Sequence, residues 1–385
     1  METRLIKFTT LTPIFTGGVD QDMERIHETG IIGSLRWWYE ALVRGVGGYA
    51  CDPSNSSCLY SVEDDSGICE ACRLFGATGW RRRFRLTLSG AAQAESTAEW
   101  RTRRRDAWQF SVPRCDAGGD TSVYLRPGFT GPITLRFAGK GCDLDLLVDL
   151  LLLVTRVGSL GARCQVGFGI VTIEEHLAPT GELAKRLKKI AHAHAVPVDP
   201  AGRPSAADMF LARVALSEAR HKVEGEGGIE TMVQLKADLR SVFRPSPDTL
   251  RTVRHALLGT VEGERISSKV NVSRPYQVPG DGGNWTMRVW GWVPASMSAE
   301  PIAGGGATSL EVFNRIEMCL KTFKSYPGLC NWLDLLANMG TQGLATKDPK
   351  LLPAASIDWV RLKDRDGVLA QLVKWLPVPQ RETAQ

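Results

Sequence analysis

The chain has no apolar run long enough to cross a membrane. Its longest, Leu144–Val154, is interrupted by Asp145 and Asp149, whereas a spanning helix needs about 20 apolar residues. Residues 1–15 lack a basic start followed by an apolar stretch, so no secretory signal is expected and the cytoplasm is the expected location. There is no Walker lysine and no strand–glycine–helix fingerprint of a dinucleotide fold. Lysine is scarce in the first part: Met1 to His176 holds 2 Lys against 18 Arg, while the remainder holds 12 Lys and 15 Arg. GC-rich coding would favour arginine throughout the chain, so it leaves this asymmetry unexplained. Arginine suits bidentate phosphate contacts and stacking on bases. The net charge of +5 is small, so any basic surface must be local.

The chain has 385 residues and a hydrophobic fraction of 43%. It can bury a sizeable core, and two domains are the natural expectation. Strands are read at Arg4–Leu11, Arg83–Leu88, Ile133–Ala138 and Val166–Glu174. Helices are read from Thr29 onward and over Asp143–Leu160. This order, βαββαβ with insertions, predicts an α+β fold. Residues 90–120 read as an Arg-rich loop or hairpin. A basic helix (Glu182–His194) and a proline-rich linker lead to a second unit. That unit has strands at Met209–Leu216 and Trp285–Trp292, helices near Thr231–Val242 and Asp248–Leu258, and a mostly helical end from Ser309. The first unit, 1–176, reads as ferredoxin-like (RRM-like), and linker 177–207 joins it to the second, 208–385, whose order resembles the first loosely. The first carries a Cys-rich insertion over 49–80, and the second carries C-terminal helices.

Thr29–Leu42 (TGIIGSLRWWYEAL) is the most informative segment. Ile31, Leu35, Trp38, Tyr39 and Leu42 fall on one helix face. Trp37 falls opposite with Gly33, Glu40 and Arg44, and Arg36 lies on the flank. Gly30 and Gly33 stand where the helix begins, where free N–H groups and the dipole favour an anion. These features fit a phosphate and a base. A buried amphipathic helix whose second tryptophan packs under a loop would give the same pattern.

Nine cysteines without a secretory signal argue against a disulfide scaffold. Four are spaced Cys51-x6-Cys58-x10-Cys69-x2-Cys72. The spacing fits a structural zinc site filled by four thiolates, as against two loop cysteines with two passengers. Cys115, Cys142, Cys164, Cys319 and Cys330 read as ordinary buried thiols. Arg81, Arg82 and Arg83 follow directly, with Trp80 and Phe84 among them and Arg101, Arg103, Arg104 and Arg105 beyond. Such a run suits an RNA-tracking sheet or a solvated face. Gly158–Gly169 is a helix-to-strand glycine loop containing Gly161, Arg163, Gly167 and Gly169. It reads as a phosphate-following nest or a tight turn.

These motifs carry a resemblance. A glycine-rich loop before the last strand of a ferredoxin-like domain resembles the RAMP superfamily of CRISPR proteins. LTPIFTGG, ETGIIGSLRWWYEAL and CRLFGATGWRRRF, with the later segment from Arg254 through Arg265 and Lys269 to Pro294, are similar to the first-named, Cmr-type subunit of the type III-B effector. The resemblance implies tandem ferredoxin-like domains, no known catalytic centre, and a place near the 3′ end of the guide RNA. Guide crRNA, target RNA and other RAMP subunits are the implied partners. RNA-facing positions would fall on Arg36, Trp37, Trp38, Arg81, Arg82, Arg83 and the glycine loop, with Arg265 and Lys269 from the second segment. Two other readings stand beside it. One is a metal-independent endoribonuclease with His27 as general acid or base. The other is a protein–protein adaptor using aromatic surfaces such as Trp285, Trp290 and Trp292. Loop aspartates Asp20 and Asp22 have no distinguishing partner in the sequence.

Overall fold

The computed structural model describes residues 1–18, 23–52, 58, 60–61, 67–90, 92–94, 98–103, 120–125, 128–174, 177–193, 203–216, 226–243, 249–260, 265–279, 285–293, 309–322 and 356–376. Its elements, in chain order, begin with β1 (Glu2–Thr10), α1 (Glu28–Gly45), α2 (Glu70–Phe75), β2 (Phe84–Gly90), β3 (Gln93–Ala94), β4 (Ala98–Arg103), β5 (Asp120–Leu125), β6 (Phe129–Thr130) and β7 (Pro132–Gly139). Then come α3 (Gly141–Val157), β8 (Val171–Ile173), α4 (Glu182–Ala193), β9 (Met209–Leu216), α5 (Glu226–Ser241) and α6 (Thr249–Leu258). The remainder is β10 (Val270–Val272), β11 (Tyr276–Gln277), β12 (Trp285–Trp292), α7 (Ser309–Thr322), β13 (Ser356–Arg361) and α8 (Arg365–Trp375).

The fold is mixed α+β with antiparallel sheets. The first sheet has the order β2-β7-β1-β8 and the second β10-β12-β9-β13, with β11 on β12. Both share one connectivity: the first and third main strands are central, one or two helices follow the first, and one precedes the last. Residues 98–103 pair with 120–125 as a two-stranded ladder. β13 adds a strand to the C-terminal part, which reads in sequence as mostly helical. It pairs with β9 from Ser356↔Ala215 to Arg361↔Phe210. The strand expected at Val166–Glu174 shortens to β8. A 3₁₀ turn at Cys164–Val166 occupies its beginning.

Period-2 alternation positions the second sheet between two cores. Phe210, Ala212, Val214, Met287 and Val289 pack with residues of α5, α6 and α7. Met209, Leu211, Trp290 and Trp292 turn the other way and join the core of the first sheet, with Leu35, Trp38 and Leu153. Arg213 and Arg288, paired across β9 and β12, lie on this second face and meet the C-terminus of α3. Arg288 donates to the carbonyls of Thr155 (3.1 Å) and Gly158, and Arg213 to that of Arg156 (3.0 Å). Two cations there satisfy carbonyls that a helix end leaves open and complement its dipole. Burial lowers the pKa of Arg288.

The aspartate that interrupts the longest apolar run also has a structural role. Asp149 is fully buried in α3 and accepts from the backbone N–H of Thr180 (2.6 Å) and Leu183 (3.1 Å) and from the Thr180 hydroxyl (3.0 Å). It thereby satisfies open donors at the start of α4. No helix of the described residues is long and apolar enough to cross a membrane.

Candidate nucleic-acid interface

A cleft of about 840 Å³ lies where the first turns of α1, the glycine loop and the second unit meet. Thr29, Gly30, Gly33, Ser34, Trp37 and Trp38 line it from α1. Ser159, Gly161, Ala162, Arg163, Cys164 and Gln165 line it from the loop. Ser267, Ser268, Lys269, Asn271, Trp290 and Trp292 line it from the second unit. Arg163 from the loop and Lys269 from the second unit bring cations to it, and among the described residues no aspartate or glutamate lines the cleft. The Arg163 guanidinium sits 4.1 Å over the Phe15 ring, a cation–π contact. The Lys269 ammonium donates to Ala256 O at 2.6 Å and lies 5.5 Å over Trp292. Burial lowers its pKa.

The second unit supplies what Trp37 packs against. Its ring lies 5.6 Å from that of Trp290 and 5.4 Å from that of Trp38. Trp37 remains half-buried, while Trp38, Trp290 and Trp292 are buried. The inward turn of Trp290 and Trp292 corrects the expectation that they offer an adaptor surface. The face carrying Trp37 is not an open polar face either: Glu40 and Arg44 on it are buried.

Arg36 does not line the cleft, a correction to its expected place. Its Nε donates to Glu40 Oε1 at 2.7 Å, Nη1 to Gly76 O at 3.0 Å and Nη2 to Cys72 Sγ at 3.2 Å. Arg44 continues this ladder one turn on, donating to Glu40 (3.5 Å), Ala50 O (3.1 Å), Cys51 O (2.8 Å) and Pro204 O (3.1 Å). The ladder runs at i, i+4 spacing and ties α1 to the cysteine module. Burial pushes the Glu40 carboxyl up, against the pull of both arginines.

The glycine loop is built by packing, which corrects the reading of a nest of unpaired amides. Gly161 N donates to Ser34 Oγ (2.8 Å). Ala162 N donates to Phe15 O (2.7 Å), Gly167 N to Cys164 O (3.3 Å) and Gly169 N to Pro13 O (2.8 Å). The glycines are needed because neighbours come too close. At φ +89, a Cβ on Gly169 would stand 2.0 Å from Leu160 O; at φ +86, one on Gly161 would stand 2.4 Å from Phe15 O. Arg163 itself takes the left-handed conformation (φ 61), uncommon for a side-chain-bearing residue. Gly167 forms a parallel bridge to Ser273, fastening the loop to the second unit.

The four cysteines converge. Cys51, Cys58, Cys69 and Cys72 are buried, and their sulfurs all lie within 4.8 Å of one another. A tetrahedral zinc with Zn–S near 2.3 Å sets its sulfurs about 3.8 Å apart, so the donor set fits. Backbone N–H groups of Cys51, Cys69 and Cys72 point at sulfurs of the cluster at 3.3–3.5 Å. Those bonds and the Arg36 contact favour thiolate charge. Of the scattered cysteines, Cys319 is buried, Cys164 half-buried and Cys142 exposed, so Cys142 departs from its expected burial. Cys115 and Cys330 lie outside the described residues.

Arg81, Arg82 and Arg83 flank the cysteine module and do not line the cleft. Arg82 donates to Phe84 O at 2.9 Å and lies over the Phe84 ring. Arg83 lies 5.6 Å over Trp80 and 3.8 Å from Asp143. Arg265 is exposed outside the cleft. His27 is the residue before α1. Its backbone N–H donates to Thr16 Oγ1 at 2.7 Å, and its ring does not line the cleft. Asp20, Asp22, Arg104 and Arg105 fall outside the described residues, as do the side chains of Arg101 and Arg103. Sequence reasoning missed Ser267, Ser268 and Asn271. They lie within the Arg254–Pro294 segment, where only Arg265 and Lys269 are singled out as RNA-facing, and long-range pairing brings them to α1.

The RAMP superfamily model matches residues 7–172. No curated protein sequence matches the chain. Among solved structures, Cmr1 from Pyrococcus furiosus in its apo form is similar at 13% identity and TM-score 0.42, over 83% of this chain and 97% of that chain. A chain of the type III-B Cmr-beta complex bound to cognate target RNA and AMPPnP, in the presence of ssDNA, is similar at 11% identity and TM-score 0.43, over 82% of this chain and 99% of that one. A chain of Cmr-beta bound to cognate target RNA is similar at 11% identity and TM-score 0.41, over the same shares.

Proposed function

From the premise that residues 7–172 form a RAMP-superfamily domain, we propose that this chain is a non-catalytic, RNA-binding subunit of a type III-B CRISPR ribonucleoprotein. The cleft at α1 holds guide crRNA or target RNA, and other RAMP subunits are its protein neighbours. Two ferredoxin-like domains, 1–176 and 208–385, carry it, with 177–207 as the linker. The shared connectivity of the two sheets supports this division. The quoted motifs from Leu11 to Phe84 support the Cmr-type assignment.

One observation carries the RNA reading. The cleft brings Arg163 and Lys269 together with tryptophans and hydroxyls, and no carboxylate of the described residues lines it. Phosphate contacts supply most of the affinity in this arrangement, and an aromatic ring supplies stacking. Arg81, Arg82, Arg83 and Arg265 offer cations outside the cleft that extend the path of the strand. The cysteine module holds structural zinc through Cys51, Cys58, Cys69 and Cys72. All four positions are taken by sulfur, so the ion braces the fold around α1.

Fluorescence anisotropy with labelled single-stranded RNA tests the reading. Arg163→Ala with Lys269→Ala should weaken binding, and the slope of log affinity against log salt should fall by roughly 0.7 per lost phosphate contact. Unchanged affinity with a flat salt response overturns it.

A further inference from the structure

We propose that the notch between Gly33 and Trp37 is a stacking slot for one unpaired nucleobase; this rests on the RNA reading of the cleft. Gly33 lies one turn before Trp37 on α1, and both line the cleft. Helical side chains lean toward the N-terminus, so residue 37 covers the turn that holds residue 33. A side chain at 33 would therefore stand beside the indole. Glycine leaves that place empty: a Cβ there meets nothing within 4 Å.

Packing needs do not explain this glycine. Gly30, Gly161 and Gly169 are each held by a neighbour that a Cβ would strike at 2.7 Å or less. Gly33 meets no such neighbour, and glycine in a helix interior is unfavourable. The indole of Trp37 is braced by Trp38 and Trp290, yet it remains partly exposed. A rigid aromatic plane beside an unfilled position, with Arg163 and Lys269 in the same cleft, suits a flat base whose phosphates reach the cations. Stacking accepts any base, so the slot selects unpaired strand over duplex and does not read sequence.

The test uses the full chain, a single-stranded RNA oligomer and a fully abasic oligomer of equal length. Gly33→Leu fills the slot from a position with open space, so its melting temperature should equal or exceed that of the parent. It should bind the base-bearing RNA about 5- to 150-fold more weakly, the range expected of one lost stack, and bind the abasic oligomer as the parent does. Gly33→Ala, which adds one carbon, should bind close to the parent and confirm that position 33 tolerates a side chain. The slot is overturned if Gly33→Leu binds base-bearing RNA like the parent, or weakens both oligomers equally. It is also overturned if the parent binds both oligomers alike. In these cases salt-dependent binding by the parent leaves the RNA reading standing. If the parent binds neither oligomer at low salt, the RNA reading falls and the slot falls with it.

Discussion

The guanidinium of Arg36 donates to the sulfur of Cys72 across 3.2 Å. This bond, with those to Glu40 and Gly76 O, makes Arg36 a strut between α1 and the cysteine module. Arg36→Ala leaves buried Glu40 with only Arg44 and opens the Gly76 carbonyl. Losing such charge-assisted bonds costs about 1–3 kcal/mol. Chemical denaturation should show that loss. RNA affinity measured well below the unfolding midpoint should change little.

Four buried sulfurs within 4.8 Å predict one zinc per chain. Elemental analysis of the purified protein should give a ratio near one, and Cys69→Ser should lose the metal. Because the module is tied to α1 through Arg36 and Arg44, chelation should lower the melting temperature of the whole first domain. Metal-site and folding free energies are coupled in this way.

Gly169 is fixed by sterics. Alanine there would set its Cβ 2.0 Å from Leu160 O at φ +89. The backbone strain alone is on the order of 1–3 kcal/mol, and the clash adds to it. Gly169→Ala should therefore unfold at lower denaturant, measured by circular dichroism, in contrast to alanine at Gly33.

Burial lowers the pKa of Lys269 from its ordinary 10.5. The unfolded chain then holds more protons than the folded one in the window just below the ordinary value. Stability contributed by this group rises with pH there. RNA affinity should move the other way, falling as pH rises through the lowered pKa and the ammonium is lost. Lys269→Met should remove that alkaline decline in an anisotropy titration.

Much of the fold was legible where alternation or helical spacing was strong. Met209–Leu216 and Trp285–Trp292 match their strands residue for residue, because each buries one face of side chains on each of two cores. β13 was hidden because Ser356–Arg361 is only six residues long, mixes apolar with charged residues, and gains its order from pairing with β9. In the cleft, local sequence placed glycines and a tryptophan at α1 but not their partners. Trp290 packs a tilted ring against Trp37, and Pro13 O and Phe15 O take up the loop's amides. Both depend on contacts between distant segments. Arg36 was misread for a related reason: helical spacing gives a residue's face, but not which neighbouring module covers it.

Arg288 and Arg213 give the most direct test of how the two units are held together. Paired across β12 and β9, they cap the carbonyls of Thr155, Arg156 and Gly158 at the end of α3. Gly158 opens the glycine loop, so this contact also sets where the loop begins. Arg288→Met keeps much of the side-chain volume but leaves two carbonyls without this donor, and each buried unsatisfied group costs about 1–3 kcal/mol. The variant should show a lower unfolding midpoint and faster protease cleavage within 177–207. Arg213→Met, which removes one bond from an exposed residue, should show a smaller effect. Equal effects of the two substitutions would mean that burial at position 288 contributes nothing to the seam.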